Sequence, residues 1–391
     1  MQYEHNRSWM DISFDNLNHN FNVIKDLVGP LCDVICMVKG NAYGHGAIMI
    51  SKELEKAGCK YLGVATVEEA MELRRNHIGI PVIVFGPVNT NQVGIAAGNG
   101  ISVSVYNYNQ AAAMSDAISD HTLNVHLAID TGLSRFGIAA GKHMDTAIEE
   151  TSKIFRLPHL ALRGAFTHFA VAGKTSQDNF TRKQFDTFRT YIDKLAQKGI
   201  RLLYHCANSP ATIRFPESRL DMVRVGGLLY GLNSFGDRIG TKPVMELKSR
   251  VCYLKVIEPG DTLSYGRLFT AKRPTKIAVI PIGYGDGLNR HCTNKGHVLI
   301  NGEIAPIIGK LCMDVSFVDI TDVRHKVCEG DIVTIWGTDH GKSIPISDYA
   351  DIYDGSPAEV TTSIGSRIPK FYIKEGNVVG QQSLVSQAEK F

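Results

Sequence analysis

Strand-like runs that stay apolar rather than alternating recur through the first two-thirds of the chain: "VICMV", "YLGVATV", "PVIVFG", "ISVSVYN", "NVHLAID", "LRGAFTHFA", "RLLYHCANS" and "DMVRVGG". A strand buried on one face alternates apolar and polar residues; a run without alternation has both faces covered. The covering comes from segments between the runs, such as "TVEEAMELRRNH" and "RKQFDTFRTYIDKLAQKG". In the second, Phe185, Phe188, Tyr191, Ile192 and Leu195 fall at spacings of three and four, one apolar helical face. About eight such units in roughly 230 residues have the size and rhythm of a (β/α)8 barrel. A doubly wound open sheet is the alternative. It would use fewer strands and place a glycine-rich phosphate turn after the first one. Here the first turn reads "KGNAYGHG" and leads with Lys39 instead.

The rhythm stops around "SFGDRIGTKPVMELKSR" (234–250), where Gly, Pro and charges predict a linker. Beyond it "RVCYLKVI", "KIAVIPIG", "GHVLINGEIAPII", "DVSFVDI" and "DIVTIWG" are separated by short turns, the pattern of a mainly β module. "GYGDG" (283–287) lacks the Lys-Ser/Thr of a phosphate loop and reads as a hairpin turn. A length of 391 residues suits two cores better than one. The expected domains are 1–240, the barrel, and 241–391, mainly β, with residues 1–10 as candidates for pairing with the second.

Charge and hydropathy narrow the partners. With 42 basic and 39 acidic residues the net charge is only +3, and no long run of Lys or Arg is present. That leaves no electrostatic footprint for nucleic acid. No apolar window approaches the roughly 18 residues of a membrane helix, and "MQYEHNRSWMDISFDNL" lacks the apolar core of a signal peptide. A cytoplasmic protein with a small-molecule partner is expected. The cysteines (Cys32, Cys36, Cys59, Cys206, Cys252, Cys292, Cys312, Cys328) sit mostly in or beside apolar runs, so reduced thiols are expected. Cys32 and Cys36 have no second Cys/His pair at ligand spacing, and no metal site is expected.

In a (β/α)8 barrel the loops after the strands build the functional face. Lys39 ends the first strand, Arg135 follows the fifth, His168 ends the sixth, Asn208 and Ser209 end the seventh, and Arg224 with Gly226 and Gly227 closes the eighth. Each alone has an ordinary explanation. A strand-end lysine is usually a solvated cap, a strand-end histidine a satisfied structural group, and Asn-Ser before a helix an N-cap. Their convergence on one rim argues for chemistry. A lysine at a partly apolar barrel mouth has its ammonium destabilised, which frees the amine to form a Schiff base with a carbonyl. Ser209 and the paired glycines can cradle a phosphate, and Tyr43 adds a phenol four residues after the lysine. Amine, cradle and two arginines suit either pyridoxal phosphate or a phosphosugar aldolase. The residues alone leave both open.

From "RSWMDISFDNLNHN" to "SRIPKFYI" the sequence resembles the alanine racemases. "MVKGNAYGHG", "DTGLSRFG", "THFA", "HCANSPA", "MVRVGGLLYG", "LSYGRLFTA", "IPIGYGDG" and "GKLCMDVSFVD" are similar, in order, to signatures of that family. The resemblance implies a racemase that interconverts L- and D-alanine, a cell-wall precursor, with pyridoxal 5'-phosphate as cofactor, and a homodimer with shared active sites. It implies that Lys39 holds the cofactor and serves as base on one face of the substrate carbon. Tyr265 is the opposite base, reaching in from the second subunit. Arg224 bonds the pyridine nitrogen, and His168 links it toward Tyr265. The resemblance also implies that Tyr43, Ser209, Gly226 and Gly227 surround the phosphate and that Asn208 is a further cofactor-binding residue. Arg135 faces the cofactor's phenolic oxygen and the substrate carboxylate, which the partner subunit's Met313 also bonds, and Tyr284 lies near the entrance. Without the resemblance, Tyr265 reads as a turn tyrosine packed on the β domain.

Four positions depart from the family pattern. Ala128 stands where a lysine, frequently carbamylated, often orients the neighbouring arginine, so an anion or a carboxylate is expected beside Arg135. Ala358 replaces a tyrosine that crowds the substrate side chain, Gly227 a larger apolar residue, and Lys310 an arginine. Ala358 and Gly227 imply a roomier pocket, hence a second reading: a racemase for serine or a broader set of amino acids. A third, of another class, is a non-catalytic carrier of pyridoxal phosphate. The β domain with Tyr265 and Met313 argues against it, because a carrier needs no second base.

Overall fold

The computed structural model describes residues 6–232 and 236–384. The apolar runs form parallel strands at Asp33–Met37, Tyr61–Val64, Val82–Val84, Ile101–Val105, Leu123–Asp130, Leu160–Phe166, Leu203–His205 and Met222–Val225. Each pairs with the next, and the last pairs with the first from Met222↔Asp33 to Val225↔Cys36. The sheet is therefore a closed eight-stranded barrel, and closure removes its edges. Helices cover the outside. Val67–Arg75 starts with a capping box between Thr66 and Glu69. Asp178–Gln197 buries Phe185, Phe188, Tyr191 and Leu195, with Ile192 half-buried at the margin of that face.

A mainly β domain follows. Its largest sheet places Ser8–Ser13 between Met245–Arg250, antiparallel, and Lys370–Lys374, parallel. Met245–Arg250 falls in the stretch expected to be a linker, and it is a strand. Met245, Leu247 and Ser249 are buried, whereas Glu246, Lys248 and Arg250 alternate with them on the half-exposed face. The charges that suggested a linker belong to that outer face, where Lys248 pairs with Asp11 at 2.9 Å and Glu246 at 2.8 Å. Residues 234 and 235 of the same stretch lie outside the described residues.

"GYGDG" is not a hairpin either. Tyr284–Asp286 is one 3-10 turn, pinned because the buried Asp286 accepts from Gly283 N at 3.1 Å and pairs with Arg7 and Arg367. The short hairpin of Thr262–Leu263 with Phe269–Thr270 carries Tyr265 at its tip. Helices Ile346–Tyr353 and Pro357–Ser363 contribute to the barrel mouth. All eight cysteines are free thiols. Among the described residues no helix is long and apolar enough to cross a membrane.

Candidate active site

A cavity of about 780 Å³ opens where the barrel strands end. It brings together Lys39, Tyr43, Arg135, His168, Asn208, Ser209, Arg224, Gly226 and Gly227, and the β domain adds Ala358. Tyr265, Met313 and Tyr284 are not among its lining residues. They stand elsewhere, exposed on the β domain.

The chain reaches Lys39 from the first strand and then turns the wrong way for L-amino acids. Gly40, Asn41, Ala42 and Tyr43 have φ of 61°, 53°, 55° and 52°, a left-handed helical turn. Each non-glycine residue there costs roughly 1–2 kcal/mol, so surrounding contacts must hold the turn. At its start Glu69 accepts from Gly40 N at 2.6 Å and Ala65 N at 2.7 Å. Lys39 as a whole residue is exposed at the open mouth, yet the surrounding barrel partly desolvates its amine. That desolvation lowers the lysine pKa, and Arg135 and Arg224 lower it further against the opposing pull of Glu69. The neutral amine is thus more accessible than in an ordinary lysine.

Opposite the turn, a Cβ at Gly226 would collide with the Tyr43 hydroxyl, so glycine is what lets the phenol sit there. Burial raises the Tyr43 pKa to about 12, which keeps the phenol protonated and a donor. Ser209 Oγ accepts from Gly226 N at 3.1 Å and Leu228 N at 3.3 Å, leaving its own proton to donate. Asn208 caps the Ser209–Arg214 helix by accepting from Ala211 N at 3.2 Å.

Arg224 is buried beneath this rim and charged at neutral pH, although burial lowers its pKa to about 10. Its Nη1 donates to His205 Nδ1 at 2.9 Å and Nη2 to His168 Nδ1 at 3.1 Å, with Thr167 O at 2.7 Å. A guanidinium can only donate. Both histidines therefore accept at Nδ1 and carry their proton on Nε2, and His205 Nε2–H donates on to His126 Nδ1 at 3.1 Å. Burial, reinforced by Arg224, lowers His168 to about 3 and His126 to about 4, and holds His205 well below its usual value. All three are neutral imidazoles near pH 7. The network transmits bond polarity outward from Arg224, and His168 offers Nε2–H rather than a positive charge.

Sequence reading missed His126 and His205. The available signal was a polar residue inside an otherwise apolar barrel strand, in "NVHLAID" and "LLYHC".

Of the anion or carboxylate expected beside Arg135, the carboxylate is not what the structure places there. Among the described residues no carboxylate pairs with it; its guanidinium lies 4.7 Å from the Phe136 ring centre, and Phe136 packs on Tyr106 at 4.5 Å. Ala128 is buried in the fifth strand opposite Phe166 and offers no polar group. The arginine is stacked rather than salt-bridged.

Tyr265 does not pack on its own domain: it is 69% exposed. Ser264, Gly266 and Arg267 around it have φ of 66°, 73° and 51°, and Ser264 Oγ ties the turn to Lys310 O at 2.5 Å. The Lys310–Met313 loop is joined in turn to the Tyr284 turn, through Tyr284 N to Cys312 O at 3.1 Å and Gly285 N to Met313 O at 2.9 Å. The three interlocked loops hold Tyr265, Met313 and Tyr284 outward together.

Known proteins with this architecture are consistent. The family model "Alanine racemase, N-terminal domain" matches residues 12–234, and "Alanine racemase, C-terminal domain" matches 244–372. Alanine racemase 2 of Caldanaerobacter subterraneus subsp. tengcongensis is 38% identical over 94% of this chain and 95% of its own length. The alanine racemase of Clostridium kluyveri is 35% identical over 97% and 98%. Among solved structures, alanine racemase of Clostridium difficile 630 superposes with a TM-score of 0.92 at 33% identity, covering 97% of this chain and 99% of that one. The Bacillus anthracis alanine racemase with bound L-Ala-P gives 0.89 at 30% identity, covering 98% and 99%. The chain belongs to the alanine racemase family of amino-acid isomerases.

Proposed function

We propose that this enzyme interconverts L- and D-alanine in the cytoplasm with pyridoxal 5'-phosphate as cofactor, as a homodimer whose active sites each draw on both subunits. The division of labour follows residues 1–240, the barrel, and 241–391, the mainly β domain. The observation that carries the reading is the charge of the barrel cavity. Lys39, Arg135 and Arg224 line it against one carboxylate, Asp351, among the described lining residues. Such a lining suits a cofactor bearing a phosphate and a phenolic oxygen together with a substrate carboxylate.

The local donors fit that cofactor. The Ser209 hydroxyl proton and the Tyr43 phenol are available to a phosphate. Arg224 donates from Nη1 and Nη2 to protein acceptors, and its Nε–H donates no hydrogen bond among the described residues. Donated to a ring nitrogen, that N–H keeps the nitrogen unprotonated, which limits carbanion build-up and side reactions. When bound, the cofactor supplies the electron sink that acidifies the substrate Cα–H.

Racemisation removes a proton from one face of Cα and returns one to the other, so two bases must flank the carbon. Lys39, with its lowered pKa, serves one face. Tyr265 of the second subunit serves the other, a role supported by its outward presentation on a strained turn. A phenol of pKa about 10 is a poor base at neutral pH. A hydrogen bond donated by His168 Nε2–H stabilises the phenolate and lowers that barrier. Arg135 and the partner subunit's Met313 hold the substrate carboxylate, a bound anion steadies Arg135, and Tyr284 flanks the entrance.

The first test is Lys39→Ala. Wild type is yellow and racemises L-alanine; the variant is colourless and loses about 10³-fold or more of the rate. A variant that stays yellow through a bound cofactor and turns over contradicts the assignment. A second reading, serine or a broader substrate set, is favoured by Gly227, Ala358, Ser347 and Ser356 lining the same cavity.

A further inference from the structure

We infer that His45 is a positioning residue: its imidazole locks the left-handed turn Gly40–Gly44 and thereby sets where Lys39 and Tyr43 stand. The effect on cofactor binding rests on the function proposed above; the hold on the turn does not.

His45 Nδ1 lies 2.9 Å from Ala42 O and 3.0 Å from Tyr43 O. Both partners are carbonyls, so Nδ1 carries a proton and donates to the two together. The ring is fully buried and Nε2 has no hydrogen-bond partner among the described residues. Burial lowers its pKa to about 4, so the ring keeps one proton, the one on Nδ1. A side chain present only to fill space would not leave a buried nitrogen orphaned. The donor is what the site requires, and histidine supplies it at that cost.

The ring also ties the two flanks of Lys39 together. It stacks on Tyr230 at 4.4 Å. Tyr230 donates its hydroxyl to Met37 O at 3.0 Å, two residues before the lysine, and meets the Tyr43 ring at 5.3 Å, four residues after it. Tyr372 of the β domain donates to His45 O at 3.2 Å. Gly44 lies against Thr361 O and Gly46 against the Tyr372 hydroxyl, with no space for a Cβ at either. Three consecutive strained non-glycine residues, Asn41 to Tyr43, relax toward ordinary backbone once the Nδ1–H clamp is removed.

The test compares His45→Asn, His45→Gln and His45→Leu in the full chain. Asn carries an amide N–H near the place of Nδ1, Gln near that of Nε2, and Leu carries none. The expected result is a rise of about tenfold in the pyridoxal phosphate dissociation constant for the Gln and Leu variants, with most of the affinity rescued in Asn. kcat should follow the same order, with the KM for alanine little changed. In the cofactor-free protein, exchange of the Gly44 and Gly46 amides, bonded to Gly40 O and Asn41 O, should accelerate in Gln and Leu but not in Asn. Melting curves identify any variant that fails to fold, and the Asn–Gln contrast then decides. Wild-type behaviour in all three, or equal losses in all three, overturns the inference. If wild type binds no pyridoxal phosphate, the function reading fails, and amide exchange alone decides whether His45 holds the turn.

Discussion

The barrel rim and the tip of the Thr262–Thr270 hairpin carry the two candidate bases, and they are built in opposite ways. At the rim, Lys39 follows a buried strand and looks into a cavity with Arg135 and Arg224, its pKa already lowered. At the hairpin, Tyr265 is 69% exposed and held away from its own chain by a strained turn and two interlocked loops. Both regions store backbone strain, which persists only where surroundings over-determine it. At the rim that strain serves a cavity within the chain. At the hairpin it holds a side chain exposed on the surface. In the function proposed above, each chain holds half of one site and half of another, the arrangement a two-fold dimer would complete.

The largest effect that sharpens this comparison comes from Tyr265→Phe. It should lower kcat by about 10²–10⁴-fold, the range for losing a general base, and leave the yellow colour intact because the rim is untouched. Full racemisation in both directions by this variant would remove the hairpin from the mechanism. Next in size is Ala358→Tyr, which refills the cavity from the β-domain side. The alanine-to-serine ratio of kcat/KM should rise by about 10-fold, the usual worth of a small group in a pocket. An unchanged ratio would reject the roomier-pocket reading.

The smallest effect separates two lysines whose amines are both desolvated. Lys370 is also disfavoured by burial, which lowers its pKa to about 8 from the usual 10.5, yet it does not line the cavity. Below pH 8 its amine is charged in the folded and unfolded chain alike, and the folded state bears the cost of the buried charge. Between pH 8 and 10.5 the folded state releases the proton while the unfolded chain keeps it, so stability rises; above 10.5 the cost is gone. Lys370→Met should therefore stabilise by about 1–3 kcal/mol at pH 7. That gain should fade across the pH window, and activity should be retained. A pH-independent gain, measured by denaturant melts, would show that the charge is not the cause.

The barrel and its rim were legible because both depend on periodicity. Uninterrupted apolar runs demand two covered faces, and closure then sends every strand end to one rim. Met245–Arg250 was harder, because its alternation with charges resembles a linker until the chain's first strand is seen beside it. The buried histidines were harder still. His126 and His205 matter through the direction of hydrogen bonds from Arg224, and His45 through a bond to carbonyls two and three residues back; neither relation has a spacing signature. Glycines in "KGNAYGHG" marked a turn, but not that Asn41, Ala42 and Tyr43 share its left-handed backbone. Nor did composition reveal that aromatic rings, rather than a carboxylate, stand beside Arg135.

The most direct test of the composite site mixes two inactive proteins. Lys39→Ala and Tyr265→Phe chains are combined in equal amounts, dissociated and reassociated, and alanine racemisation is measured. Random pairing makes about half of the dimers mixed, and each mixed dimer has one site with both native residues. The account predicts recovery of about one quarter of wild-type activity. No recovery, with mixed dimers shown to have formed, would mean that Lys39 and Tyr265 act within one chain or not together at all.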